Sequence, residues 1–347
     1  MTLVKKPIAT GAAWMAGECR MPWVRRSALA NKIAAKLEKD KMAFMYGLCR
    51  VGKTSLVIEA YETMTGKDIL NRGAHSPPAG DIDIHTIEDI ARLQLNDSHL
   101  GYYEKARAAV KKGIAKILCI DECAMLSSKT SYSIYADVPK KVREVTEIAK
   151  KEGIPIVLIF HKGPDMGYVA KVGDMLSMDV DRNALIPIPA IVPATEVKRA
   201  LTEPYEQMKV KFSGEAIRYI LENGGRYVHI LSEMLNELFN RTFAYELENR
   251  TKQTIKAKDT NNLWRYELEY RNFFLHNRNS FSEAEQKSLD ILWNPKLGIS
   301  ALPESGHGEA LMELKKLGLV EIRGGKCTVI PSPSSQYLEW KWPHMPA

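Results

Sequence analysis

Gly47-Leu48-Cys49-Arg50-Val51-Gly52-Lys53-Thr54-Ser55 fits the pattern G-x-x-x-x-G-K-[ST]. An apolar run, Met42-Ala43-Phe44-Met45-Tyr46, comes before it, and a helical stretch, Ser55 to Ala60, comes after. Strand, loop, helix is the context in which this motif is a phosphate-binding P-loop rather than an ordinary glycine turn. Gly47 and Gly52 let the backbone curl so that the amides from Arg50 and Val51 through Ser55 face inward. The helix that follows adds the positive end of its dipole. Lys53 suits the β- and γ-phosphates, and the Thr54 hydroxyl suits Mg²⁺. The expected ligand is ATP.

A second motif agrees with the first. Ile117-Leu118-Cys119-Ile120 is a fully apolar run of the kind found in a central parallel strand, and it ends in Asp121-Glu122. This is a Walker B pattern. Asp121 can organise the Mg²⁺ shell, and Glu122 can orient and deprotonate an attacking water. The pair lies 68 residues beyond Lys53. That distance leaves room for an extra strand, for which Asp81-Ile82-Asp83-Ile84 alternates correctly. Thr86 is placed to cap a helix beginning Ile87-Glu88-Asp89, and Tyr102 to Gly113 reads as another helix.

The chain continues as an α/β alternation. Pro139 to Lys151 has a helical stripe, and Ile154 to Phe160 is a second buried-strand run with His161 just beyond it. His161 either positions the water or merely caps the strand. Residues 162–182 read as loop, and Ala184 to Ile191 reads as a last strand whose prolines suit a sheet edge. Before the P-loop, Leu29, Ile33, Ala34 and Leu37 mark a helix. Trp23 and Val24 ahead of it either contact the nucleotide base or pack on the sheet. Thr195 is placed to cap Glu196 to Glu203, and Ser213 a helix through Asn223, with another helix over Tyr227 to Asn240. Arg226, opening the last of these, either approaches the γ-phosphate or lies on the surface.

The expected organisation is an N-terminal basic arm over 1–22, a P-loop α/β domain over 23–194, a helical lid over 195–245, a linking helix over 246–280 and a winged helix over 281–347. The winged-helix reading rests on a Ser282/Glu285 capping box, on helices near 282–293 and 308–317, and on a hairpin signal at Gly324-Gly325. The polar positions of the third helix, Glu309, Glu313, Lys315 and Lys316, nearly cancel in charge.

The order of these parts resembles the signalling ATPases with numerous domains (STAND) and their AAA+ relatives, the archaeal ATPases and origin-recognition initiators. The lid stretch LTEPYEQMKVKFSGEAIRYILENGGRYVHIL is similar to the family's run of Leu, Pro, Phe, Ile and Gly-Gly, but has Arg226-Tyr227 where the family commonly has Pro. The resemblance implies an additional-strand parallel sheet, ATP and Mg²⁺ as ligands, slow hydrolysis and nucleotide-gated self-association. It also implies an arginine supplied between subunits, for which Arg182 and Arg143 are candidates. The expected function is an ATP-hydrolysing switch. The alternatives are an ATP-dependent DNA-binding regulator, initiator-like or transposition-target-like, and an ATPase subunit of a defence or signalling complex with a separate protein effector.

Composition bounds these readings. The chain has 347 residues and a net charge of +7. Nine Lys/Arg against three Asp/Glu put +6 of that charge in residues 1–41. A basic arm there either touches duplex DNA phosphates or is a solvated tail. Five cysteines, an odd number without zinc or disulfide spacing, read as buried free thiols. No apolar run is long enough for a membrane helix, and no secretion signal is evident, so a cytoplasmic protein is expected.

Overall fold

The computed structural model describes residues 25–67, 89–95, 103–126, 137–163, 166–180, 182–206, 210–223, 226–228, 231, 253–255, 277–293, 307–323 and 326–329. The basic arm, Trp23, Val24, the Asp81–Ile84 segment and the Gly324-Gly325 turn lie outside them. Among the described residues no helix is long and apolar enough to cross a membrane.

Helix α1 (Ser27–Asp40) turns Ala30, Ile33, Ala34 and Leu37 inward, as their spacing dictates, and Lys41 ends it with φ 58°. Strand β1 (Met42–Gly47) follows at once, then the P-loop and α2 (Lys53–Thr65). The next elements are β2 (Ile90–Gln94), α3 (Tyr103–Lys111), β3 (Ile117–Asp121), α4 (Val138–Lys151), β4 (Ile156–His161), α5 (Tyr168–Met175) and the short β5 (Ile186–Pro187). All pairings in this sheet are parallel, and the order is β2-β3-β4-β1-β5. The central strands β3 and β4 are buried almost throughout. Parallel strands covered on both faces require such apolar runs. Because β4 lies between β1 and β3, their carboxyl ends converge at one edge of the sheet. That edge is the place where open α/β sheets bind ligands.

Three expectations change here. The segment after Asp89 is strand, not helix: Ile90 to Gln94 pair in parallel with Ile117 to Asp121. Its apolar positions Ile90, Ala91 and Leu93 are buried against the core, and this packing outweighs the local helical signal. The stretch 162–182 is not all loop, because α5 buries Val169, Val172 and Gly173. Gly173 belongs inside that helix for reasons of space, since a Cβ there would lie 2.7 Å from the Met178 carbonyl oxygen. The last strand shrinks to two residues, as its prolines require.

Beyond the sheet come α6 (Ala194–Glu206), β6 (Val210–Phe212) and α7 (Gly214–Asn223). Helix α6 starts at Ala194, so Thr195 lies inside its first turn instead of capping it. Ser213 does cap α7, accepting the Ala216 N–H at 3.1 Å. Residues Gln253–Ile255 form β7, which pairs in parallel with β6, so this part of 246–280 is strand rather than linking helix.

The Ser282/Glu285 capping box forms in both directions, at 2.7 and 3.3 Å, in front of α8 (Glu283–Trp293). Helix α9 (Gly308–Lys316) leads into the antiparallel hairpin β8 (Val320–Arg323) and β9 (Lys326–Val329). This helix–hairpin part packs directly on the sheet edge at β5: the Ala190 N–H donates to the Leu317 carbonyl at 2.8 Å. Gly318 sits there with φ +70°, and a Cβ would approach Ile191 at 2.9 Å and Pro189 at 3.0 Å.

Candidate functional site

The P-loop leaves β1 at Gly47 and enters α2 at Lys53. Gly47 has no room for a side chain, because a Cβ would meet the Ile188 carbonyl oxygen at 2.9 Å. Gly52 takes φ +70° at the start of α2, where it is hemmed in by Arg26 and Val228. Arg50 adopts a left-handed φ of 61° in the loop itself. Val51 is buried and anchors the loop to the core, while Thr54 and Ser55 are half-buried at the helix start.

Lys53 is buried, and its Nζ donates to the carbonyls of Leu48 at 2.7 Å and Gly47 at 3.2 Å. Burial lowers its pKa, opposed by the Asp121 and Glu122 charges.

The two motifs meet directly. The Thr54 hydroxyl donates to Asp121 Oδ2 at 2.9 Å. Asp121, nearly buried at the end of β3, also accepts the Glu122 N–H on Oδ1 at 2.9 Å and Arg92 Nη2 on Oδ2 at 2.7 Å. Glu122 holds φ 60°, a conformation that costs a non-glycine residue about 1–2 kcal/mol. This backbone sends its carboxylate toward β4, where Oε2 lies 3.2 Å from His161 Nδ1. The Cys49 sulfur and the Glu122 carboxylate, against the opposing effect of burial, push the His161 pKa up to about 9. The same contact with His161 lowers the Cys49 thiol. His161, expected at a strand end, is therefore drawn to the Walker B glutamate and the P-loop together.

Arg26 went unnoticed in the sequence. It is buried, its backbone N–H donates to Glu59 Oε2 at 2.8 Å, and its Nη2 donates to the Gly52 carbonyl at 2.6 Å. Burial lowers its pKa to about 10, with Glu59 opposing. Its Nη1 has no acceptor among the described residues. Arg25 pairs with Glu62 at 2.8 Å, so Glu59 and Glu62 on α2 clip the start of α1 to the P-loop helix. Two arginines before a helix, with two acids three apart on the next helix, were the available signal.

Other expected residues are not brought together with this group. Arg226 stands in a turn with φ 57°, its carbonyl accepting the Val192 N–H at 2.9 Å. No described contact joins its side chain to the P-loop. Its neighbours Tyr227 and Val228 do approach, through the Ile191–Tyr227 bridge and the Val228 contact at Gly52. Arg182 begins a 3₁₀ turn (Arg182–Ala184). Arg143 is engaged at home, with Glu147 at 3.0 Å and Ser177 at 2.9 Å. Cys119, Cys123 and Cys327 are buried free thiols, as expected.

The C-terminal part also reaches the site. Asn277 accepts the Cys49 N–H, Tyr46 donates to Glu313 Oε1 at 3.0 Å, and Lys162 pairs with Glu285 at 3.1 Å.

Strand order and motif positions define the class of fold: an α/β domain of the additional-strand P-loop type, with the AAA+ arrangement of its five-stranded sheet. No protein-family model matches the chain, and no curated protein matches its sequence. Solved structures do match in fold. The Thermotoga maritima RuvB Holliday junction branch migration motor aligns at 13% identity over 93% of this chain and 96% of its own, with a TM-score of 0.43. A Walker-type ATPase of Pyrococcus abyssi aligns at 12% identity over 90% and 95%, with a TM-score of 0.46. The Aeropyrum pernix ORC2 protein aligns at 12% identity over 92% and 93%, with a TM-score of 0.47. The fold class rests on the chain's own topology and motifs rather than on these overlaps.

Proposed function

We propose that the protein binds and hydrolyses ATP and acts as a switch whose nucleotide state sets its self-association and partner contacts. The observation that carries this reading is the 2.9 Å hydrogen bond between Thr54 and Asp121. It brings a phosphate-loop hydroxyl and a strand-end carboxylate into one site from positions 67 residues apart. Two hard oxygen donors beside a phosphate loop fit Mg²⁺, which keeps most of its water and takes few protein ligands. When bound there, the ion would neutralise charge on the transferring phosphoryl group.

The chain's own groups divide the remaining work. The loop amides and Lys53 bind phosphate, with Lys53 exchanging its carbonyl partners for phosphate oxygens. Glu122 takes the proton from water, and His161 as a cation holds that carboxylate ionised and directed. Arg26, buried with its Nη2 on the Gly52 carbonyl, fixes the end of the loop where α2 begins. The packing of Asn277, Glu285 and Glu313 on the P-loop and its flanking strands supports a switch, since phosphate binding then bears on the C-terminal part. Regulation of duplex DNA, or of a separate protein effector, stays a secondary reading. The Tyr46–Glu313 bond commits one edge of α9 to the ATPase domain.

The test uses two variants with fluorescent ATP binding and phosphate release as readouts. Lys53→Ala is expected to abolish binding. Glu122→Gln is expected to bind normally but lose at least about a hundredfold in turnover, the scale of a general base. Wild-type binding by Lys53→Ala, or undiminished turnover by Glu122→Gln, would remove the assignment.

A further inference from the structure

Among the described residues, Arg92 is the cationic side chain that hydrogen-bonds the Asp121 carboxylate. It sits on β2 opposite Cys119, two residues before the Gln94–Asp121 register pair, so its side chain leans along the sheet to the end of β3. Nη2 reaches Asp121 Oδ2 at 2.7 Å, and the side chain is only 14% exposed. The same oxygen already accepts the Thr54 hydroxyl, and the other accepts the Glu122 amide. Both oxygens of the carboxylate therefore carry protein donors, two on Oδ2 and one on Oδ1. The guanidinium is less completely paired: its buried Nε has no acceptor among the described residues. Five donors in a rigid fork, with one held on a carboxylate and one buried without a partner, make an arginine that is only partly satisfied where it stands.

We propose that Arg92 is a positioning residue that competes with the divalent cation for Asp121, and so sets the Mg²⁺ concentration at which nucleotide binds tightly. This rests on the reading of Thr54 and Asp121 as the metal-holding pair. A hydrated Mg²⁺ reaches a carboxylate either directly or through the O–H of a bound water. On Asp121 Oδ2 the Arg92 N–H stands where such a donor would be needed. The competition is electrostatic as well as steric. A full positive charge hydrogen-bonded to the carboxylate opposes a second cation there, and partial burial leaves that repulsion poorly screened. Thr54 does not compete in this way, because its oxygen keeps lone pairs for the metal while its proton stays on Asp121. Arg92 is thus an internal cation on the carboxylate that a divalent ion would have to displace.

The experiment titrates Mg²⁺ into metal-stripped protein with a fluorescent ADP analogue and reads the half-saturating metal concentration. Arg92→Gln is expected to lower that concentration by about tenfold, the scale of one lost charge contact at a partly buried position. Arg92→Lys keeps a cation and is expected to stay within about twofold of wild type. An unchanged or raised half-point in Arg92→Gln overturns the proposal and leaves Arg92 a structural partner of Asp121. If Arg92→Gln does not fold, wild-type protein carries the test. An arginine Nε–H resonance that is missing from Arg92→Lys is expected to move when Mg²⁺ is added to the ADP-bound protein, and a stationary resonance overturns the proposal. Failure of wild-type protein to bind the analogue at any metal concentration would instead sink the nucleotide reading beneath it.

Discussion

Asn277 Oδ1 accepts the backbone N–H of Cys49 at 2.7 Å, across 228 residues of sequence. Asn277 is fully buried, so a residue far down the chain holds the middle of the phosphate loop. Removing the acceptor leaves a loop amide without its partner, at a cost of about 1–3 kcal/mol. Asn277→Ala is therefore expected to lower stability in urea unfolding by that amount and to weaken nucleotide binding. Asn277→Asp keeps an acceptor and is expected to lie closer to wild type. Equal stability for Asn277→Ala and wild type would show that the contact contributes nothing.

Lys162 and Glu285 form an ion pair at 3.1 Å, with side chains only 2% and 5% exposed. Taking away one member strands the other in the interior. Lys162→Met is expected to cost about 3–5 kcal/mol, and adding Glu285→Leu is expected to recover most of it. Recovery should fall short by about 1 kcal/mol, because Glu285 also closes the capping box on Ser282. A double variant no more stable than Lys162→Met would contradict this account of the pair.

Glu122 holds a left-handed φ of 60° that glycine accepts without strain. Glu122→Gly is expected to raise stability by about 1 kcal/mol while turnover falls as far as in Glu122→Gln. Thermal melting alongside phosphate release tests the trade. A destabilised glycine variant would mean that the Glu122 side-chain contacts outweigh its backbone strain.

His161 has its pKa raised to about 9 by Cys49 and Glu122, above its ordinary value of 6.5. A raised folded-state pKa stabilises the fold fully below about 6.5, and that contribution is lost as pH climbs through about 9. Unfolding free energy is expected to decline across this window in wild type, with a shallower decline in His161→Gln. Parallel slopes for the two proteins would take the proton away from His161.

Much of the sheet could be read along the sequence because its signals are local. The P-loop, the Asp121-Glu122 strand end and the run before His161 each carry their identity within a few residues. The β2 strand did not, because Arg92 and Gln94 interrupt its apolar pattern, and their partners lie on β3. Helix α5 is masked in the sequence by Gly173, which close packing explains and a turn does not. Arg26 and Asn277 belong to no motif. Their roles come from a carbonyl of Gly52 and an amide of Cys49, backbone groups that every sequence has and no sequence marks.

The contacts that brace the phosphate loop also fix an order of events during synthesis. Tyr46 waits for Glu313, 267 residues later, and Lys162 for Glu285, 123 residues later. Most of the sheet's strands leave the ribosome long before these partners exist. Pairings this distant form late and slowly, because long loops must close before they are rewarded. A nascent chain halted before residue 277 would display its phosphate loop with the Cys49 amide lacking Asn277 and the Lys162 ammonium lacking its carboxylate. Such a chain invites chaperone capture, and its loop is fully braced only when its far end returns.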